Sequence, residues 1–437
     1  MGRIKDVNVG IIGMSSVGSG AVTILHENAD PIALKLGFRL KVTAVCALDP
    51  TCPISDHLPG GALRTTDWRE VVNHPNVDIV VELAGRTAVA REIVHAAIEH
   101  GKSVLTTNQE LMACCGSEIS DLAIRAGVNL AMEAHLCGSI PIQAVLREGI
   151  SGDRITALYG ILNETSNFIL TEIERRGDSM EHVLADAQRL GYAEANPSAD
   201  LDGCDACSKL AILATLAFGQ RITSADIYLE GIRRISQIDF QYAHMLDHTI
   251  RLLCAARQTA GGLILSVRPA LIPRSTFLAG VQGTSHAIWV KDHSGDDTFY
   301  YGHGSGSRSS GVAVVSDLMR VAREVRSGGP TWTSPFAHAR LGECRPSPIT
   351  MQKRPYYLRF RVNERPGIIA TLAGILAGKH INLDAVPQKT YDTKDDVPLV
   401  ITVESTSEQA IRDAVREMSK LEFLNEAPLV LPIEPPL

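Results

Sequence analysis

The run Val7-Asn8-Val9-Gly10-Ile11-Ile12-Gly13-Met14-Ser15-Ser16-Val17-Gly18 constrains this chain more than any other. A β-branched apolar stretch stops at a glycine, and a G-x-S-x-x-G hexapeptide leads into helical spacing. The match, which takes in Gly13, Ser15, Ser16, Val17 and Gly18, is a dinucleotide fingerprint placed between a strand and a helix: Ser15 stands where backbone must approach a phosphate, and the helix N-terminus stabilises its charge. Gly18 allows the helix to sit close on the strand. The alternative is a purely structural tight turn. Around this motif, residues 1 to about 135 alternate strand-like and helix-like patterns, which predicts an α/β doubly wound parallel sheet of Rossmann type. Strands are expected at Val7–Ile12, Lys41–Ala47, Asp78–Leu83, Ser103–Thr107 and Val128–Met132, with helices at Val89–His100 and Ser117–Ala126.

In such sheets ligands bind beyond the carboxyl ends of the strands. Those ends are Gly13, Leu48–Asp49, Ala84–Gly85–Arg86, Asn108–Gln109 and Glu133–His135. Asp49 could accept hydrogen bonds from a ribose diol, which leans towards NAD over NADP, or could serve only as a turn residue before Pro50. Ala84, Gly85, Thr106 and Asn108, with Gly306 of a later Gly-rich run, complete the candidate cofactor contacts.

At 437 residues the chain has room for two or three domains, and 45% hydrophobic with 21% charged residues is ordinary for a soluble globular protein. A formal charge of −7 argues against nucleic-acid or anionic-membrane partners. The N-terminus enters a strand without a signal peptide, Asp6 spoils a myristoylation motif, and no segment is apolar for long enough to span a bilayer. Nine scattered cysteines suit free thiols in a reducing cytoplasm.

Four units are expected: a dinucleotide-binding domain over 1–148, an α+β substrate and dimerisation domain over 149–326, an extended linker over 327–354 and a compact tail over 355–437. In the middle unit the longest helices are expected at Ser166–Arg176, Ser179–Leu190 and Gly203–Phe218. Its last helix, about 308–323, is expected to pack back on the first unit. The tail reads as βαββαβ. A strand at Tyr357–Val362 precedes a helix opened by Arg365-Pro366-Gly367, strands follow at Asn382–Lys389 and Leu399–Glu404, and Thr406 with Gln409 forms a capping box before a second helix. Leu429–Ile433 closes the unit. The tail resembles the ACT domain, a small-molecule regulatory module; a generic dimerisation domain of the same topology is the alternative.

The most informative segment is GYAEANPSADLDGCDACSKLAIL at 191–213. Glu194, Asp200, Asp202 and Asp205 cluster ahead of Lys209. Asp205 and Lys209 are spaced to share a helix face. On an unusually apolar helix, Lys209 could sit in a pocket with a lowered pKa and move protons, where the bland reading is a surface ion pair. Cys204 and Cys207 read as core-lining thiols rather than zinc ligands. A nucleophilic cysteine among Cys114, Cys115 and Cys137 would instead indicate an acylating semialdehyde dehydrogenase. His135 reads as a packed rim residue.

These segments, with "IVVELAG", "EAHLCGSIPI" and "ITALYGILNETSNFIL", resemble the homoserine dehydrogenase family over most of the chain. The resemblance implies NAD(P)-dependent interconversion of L-homoserine and L-aspartate 4-semialdehyde, a homodimer or homotetramer built through the middle domain, and regulation by threonine or a related amino acid. It implies that Glu194 binds the substrate amine, that Asp205 and Lys209 lie at its hydroxyl, and that Asn163, Glu164 and Thr165 occupy a turn beneath it. Glu133 with backbone at Leu136 and Gly138 matches a sodium site of some members. Departures fall at Ser15, Glu164, His135, Cys137, Ser139 and Ser309. Above all, Gln109 stands where the family carries a proton-accepting lysine. Two other readings stay open: the same hydride chemistry on a different small aldehyde or alcohol, and a weakly active homologue that senses nucleotide and amino acid.

Overall fold

A computed structural model describes residues 6–49, 51–52, 57–132, 136–295, 297–304, 307–328, 335–389 and 394–435. Six parallel strands form the first sheet, in the order Leu63–Thr65, Leu40–Cys46, Val7–Ile12, Ile79–Glu82, Ser103–Thr106 and Leu130–Ala131. Chain order reverses between Val7–Ile12 and Ile79–Glu82, which opens a ligand crevice at that switch point. Strands buried on both faces read as near-continuous apolar runs, and Ile79–Glu82 is buried throughout, apolar except for Glu82 at its carboxyl end. The short strand Leu63–Thr65 and the helix Ala29–Leu36 carried too little periodicity to be anticipated.

The expected strands agree with the observed ones to within one or two residues. The helix expected at Ser117–Ala126 does not: it runs from Gln109 to Ala126. Asn108 caps it, its side-chain oxygen accepting from Leu111 N at 2.8 Å. The polar pair Asn108-Gln109 is therefore a helix start as well as a strand end.

The middle unit is a mixed six-stranded sheet, ordered Thr298–His303, Ser285–Asp292, Ile155–Ile161, His248–Thr259, Gly262–Pro273 and Tyr228–Leu229. The helices Glu164–Arg176 and Cys204–Phe218 cover one face, where Leu158, Cys254 and Val267 join Leu210 and Ile173 in one core. Tyr159, Ala255, Ile272 and Trp289 alternate onto the other face. The helix Ser307–Arg326 returns to the first unit and packs on Ser16–Glu27, where a Cβ on Gly311 would crowd Gly20.

The described residues of the expected extended linker, from 335 on, are packed against the middle unit. Phe336 is buried in the main core, His338 Nε2 lies 2.9 Å from Leu216 O, and Gly342–Glu343 pairs in parallel with Gln220–Arg221. The segment's aperiodic sequence hid this, because the contacts are made by isolated residues and one two-residue pairing.

The tail is a four-stranded antiparallel sheet ordered Leu383–Ala385, Val397–Ser407, Lys353–Val362 and Leu429–Pro432, with helices Ile368–Gly378 and Glu408–Met418. This is the βαββαβ order of ferredoxin-like units. Two expectations need correction. The strand expected over Asn382–Lys389 is confined to Leu383–Ala385, where only a short edge pairs. The second helix is capped by Ser407, whose hydroxyl accepts from Ala410 N at 3.2 Å, rather than by Thr406; Gln409 reaches forward to Asp413. Ion pairs buried at the joint tie the tail to the middle unit. Arg268 meets Glu408 at 2.8 Å, and Arg359 and the Tyr357 hydroxyl both bond to Asp239.

Candidate active site

The cofactor crevice is shaped by backbone. Gly13 has φ +103°, and a Cβ on it would overlap the Leu83 carbonyl. A Cβ on Gly18 would overlap the Gly13 carbonyl oxygen, so neither position tolerates a side chain. Ser15 adopts φ −64°, ψ −174°, an extended conformation open to any L-residue. Its side chain makes no cap hydrogen bond. Ser15 and Ser16 are exposed beside the helix N-terminus, with Val17 half-buried behind them. This cradle suits a pyrophosphate.

Deeper in the crevice, sequence reasoning missed Glu82. It is fully buried and holds two loop ends at once: Ala84 N donates to one carboxylate oxygen at 2.6 Å, and the Thr106 hydroxyl donates to the other. Burial raises its carboxyl pKa against these hydrogen bonds. Thr106 Oγ1 in turn accepts from Asn108 N at 3.1 Å, and Asn108 Nδ2 reaches Gly85 O at 3.5 Å. Gly85 turns with φ +74°. Asp49 is engaged locally, accepting from Thr51 N at 2.8 Å and Thr51 Oγ1 at 2.7 Å, which lowers its pKa. Gly306 and Glu133 lie outside the described residues, as does His135. Leu136 is buried, and Gly138 turns with φ +58° against His303 O. Among the described residues no group of three or more His, Cys, Asp or Glu is placed to hold a metal.

A cavity of about 390 Å³ joins the first and middle units, lined by Gln109 from one and Asn163, Glu164, Thr165, Glu194, Asp200, Asp205 and Lys209 from the other. Asn163 organises it. Its side-chain oxygen caps the helix Glu164–Arg176 through Ser166 N at 2.8 Å, while its amide nitrogen donates to Asp200 and Asp205, each at 2.7 Å. Thr165 is anchored by its hydroxyl to Tyr192 O at 2.6 Å.

Lys209 Nζ lies 2.8 Å from Asp205 Oδ2 and donates to Leu162 O at 2.9 Å. The expected i,i+4 pair is present and buried on the lysine side. The expected lowering of its pKa is not. Burial alone would favour the neutral amine, but the Asp205 charge and hydrogen bond outweigh it and hold Lys209 above its ordinary value. The same pair, with the Asn163 bond, overcomes burial to pull Asp205 below the usual carboxylate range. Asp200 shifts the other way, raised by burial and then by repulsion from Asp205.

Beneath this pair sits His286, also missed, because one histidine in an apolar strand carries no signal. It is buried, and neither ring nitrogen has a hydrogen-bond partner among the described residues. Burial, then the Lys209 charge, pushes its pKa down to about 3, so the ring stays neutral. Burial raises Cys207 to about 11, and Cys114 to about 12 with help from Cys115. Cys207 lines the core as expected, whereas Cys204 is exposed.

The chain matches two family models, "Homoserine dehydrogenase, NAD binding domain" over residues 13–133 and "Homoserine dehydrogenase" over residues 141–319. A homoserine dehydrogenase of Pseudomonas aeruginosa is 39% identical, over 96% of this chain and 96% of that protein. That of Neisseria gonorrhoeae is 37% identical over 98% of each. The crystal structure of a homoserine dehydrogenase from Thiobacillus denitrificans superposes with a TM-score of 0.91 at 37% identity, covering 98% of both chains. With near-complete coverage at this identity, and with both halves of the cavity inside the matched segments, the chain belongs to the homoserine dehydrogenase family.

Proposed function

We propose that the 390 Å³ cavity is the active site of an NAD(P)-dependent oxidoreductase that interconverts L-homoserine and L-aspartate 4-semialdehyde. The observation that carries this reading is the meeting of Gln109, at the rim of the nucleotide-binding sheet, with Lys209 and Asp205 of the middle unit. Gly13, Ser15, Ser16, Val17 and Gly18 would hold the cofactor's pyrophosphate, and Ala84, Gly85, Thr106 and Asn108 would shape the part of the crevice that takes its nicotinamide half. When bound, it supplies the hydride acceptor or donor.

The chain's own residues do the rest. Glu194 takes the substrate's α-ammonium, and the Asn163–Thr165 turn floors the pocket. Lys209, held charged, spends two N–H groups on Asp205 and Leu162, leaving a third for the oxygen at C4. In the reducing direction it polarises the aldehyde and gives up a proton as C4 receives hydride. Asp205 keeps that ammonium in place. Gln109 can hydrogen-bond to the substrate but cannot exchange a proton, so alcohol oxidation runs the same path in reverse: Lys209 first loses its proton to water and then accepts the alcohol's as hydride leaves C4. Purified protein with L-homoserine and either NAD or NADP should produce reduced cofactor at alkaline pH. Cofactor and amino-acid binding without turnover would favour the sensor reading.

The tail is read as an ACT module with an amino-acid effector. A cleft of about 560 Å³ surrounds Arg365-Pro366-Gly367 and Lys389, and Tyr242 of the middle unit reaches its wall. Inhibition or thermal stabilisation by L-threonine tests this. A dimer through the middle unit is supported by Phe277, exposed beside the sheet face opposite the helices and tilted against Phe299 at 5.5 Å between ring centroids; sedimentation checks it.

A further inference from the structure

The charge inventory of the cavity suits a second reaction at the site proposed above. Four carboxylates line it, Glu164, Glu194, Asp200 and Asp205, against one cationic side chain among the described residues, Lys209. That ammonium already lies 2.8 Å from Asp205. Gln109 adds no charge. Glu164 opens the helix Glu164–Arg176, and its carboxylate lies against the Cα of Gly304, where a Cβ would overlap Oε2. It follows Asn163, whose amide donates to Asp205 at 2.7 Å, and it lines the same cavity as Lys209. The reacting end of the cavity thus carries a carboxylate of its own, apart from Glu194.

Charge at the reacting carbon decides what such a carboxylate does. In alcohol oxidation the oxygen becomes alkoxide-like as hydride leaves, and a neighbouring carboxylate repels it. In amine oxidation the nitrogen becomes an iminium cation, which the same carboxylate stabilises. Gln109 can accept an N–H from that nitrogen through its amide oxygen without adding positive charge.

We propose that this site also oxidatively deaminates a short α,ω-diamino acid, with Glu194 holding the α-ammonium and Glu164 the terminal nitrogen. Glu164 takes a proton from the terminal ammonium, and the nitrogen lone pair drives hydride from the terminal carbon to NAD(P)⁺. Water then adds to the iminium carbon, and the C–N bond breaks. The sum is R–CH₂NH₃⁺ + NAD(P)⁺ + H₂O → R–CHO + NH₄⁺ + NAD(P)H + H⁺. With four carbons the aldehyde is the same semialdehyde that homoserine yields. This reading rests on the hydride chemistry assigned above.

The test compares L-2,4-diaminobutyrate with L-homoserine as substrates of the full chain, following reduced cofactor and released ammonium. The expected result is one ammonium per reduced cofactor and a kcat/KM for the diamino acid at least equal to that for homoserine. Glu164→Gln should lower kcat/KM for the diamino acid at least tenfold and raise it for homoserine, a reversal that a structural defect does not produce. Homoserine turnover without diamino-acid turnover overturns this inference and leaves the homoserine reading standing. A variant that moves both rates the same way overturns it too. No turnover of either substrate overturns both readings.

Discussion

Gln109 and Lys209 face one cavity with opposite capacities. The amide cannot carry a proton, and the ammonium holds its own because Asp205 is 2.8 Å away. Gln109→Lys should therefore raise homoserine oxidation about tenfold or more, with the ~10²–10⁴ that a positioned acid–base group supplies as the ceiling; initial rates at saturating cofactor check it. An unchanged rate would mean that the proton already has an adequate route. At the other end of the crevice, Gly18→Ala places a methyl onto the Gly13 carbonyl. It should weaken NAD(P)H binding about tenfold or more, read by fluorescence titration, while Ser15→Gly, at an unstrained extended position, should change it by less than about threefold.

At the scale of elements, most of the fold was legible because period and punctuation agreed. Val7–Ile12 needed only a β-branched run ending at Gly13, and Cys204–Phe218 only its apolar length. Sequence reading failed where one residue does two jobs. Asn108 ends a strand and caps a helix, so the polar tip hid the first turns of Gln109–Ala126. Thr406 and Ser407 are both competent caps, and local sequence does not choose between them; the extra length of Val397–Ser407 moves the helix start on by one residue. Ser407→Ala should accordingly cost about 1 kcal/mol and Thr406→Ala less than about 0.5 kcal/mol in denaturant unfolding. In the site, Asp205 and Lys209 were legible from their spacing. Glu82 and His286 were not, because their roles come from strands brought together across the sheets. The sign of the Lys209 shift was misread because burial was weighed without its partner's charge.

At the scale of the whole molecule, buried titratable groups make stability sensitive both to substitution and to pH. The Arg359–Asp239 pair joins the tail to the middle unit, and burial holds the Asp239 carboxyl above its usual range even with that partner. Arg359→Leu leaves a buried carboxylate without its cation and should destabilise by about 3–5 kcal/mol. Beneath the active site, His286 adds an acid-sensitive term. Its folded pKa of about 3 lies below the unfolded value near 6.5, so the unfolded chain takes up a proton that the folded chain refuses. Stability from this group is complete above about pH 6.5 and falls as pH drops towards 3, by ~1.4 kcal/mol per pH unit at most. His286→Leu should flatten that part of the melting-temperature profile relative to wild type.

The central claim is that hydride transfer occurs in the cavity shared by Gln109 and Lys209. Its most direct test is the initial rate of L-homoserine oxidation with NAD and NADP, measured for wild type beside Lys209→Ala. Measurable turnover in the wild type, with a loss of ~10²–10⁴ in the variant at undiminished cofactor binding, is the predicted result. A silent wild type, or a variant as active as its parent, would contradict the account.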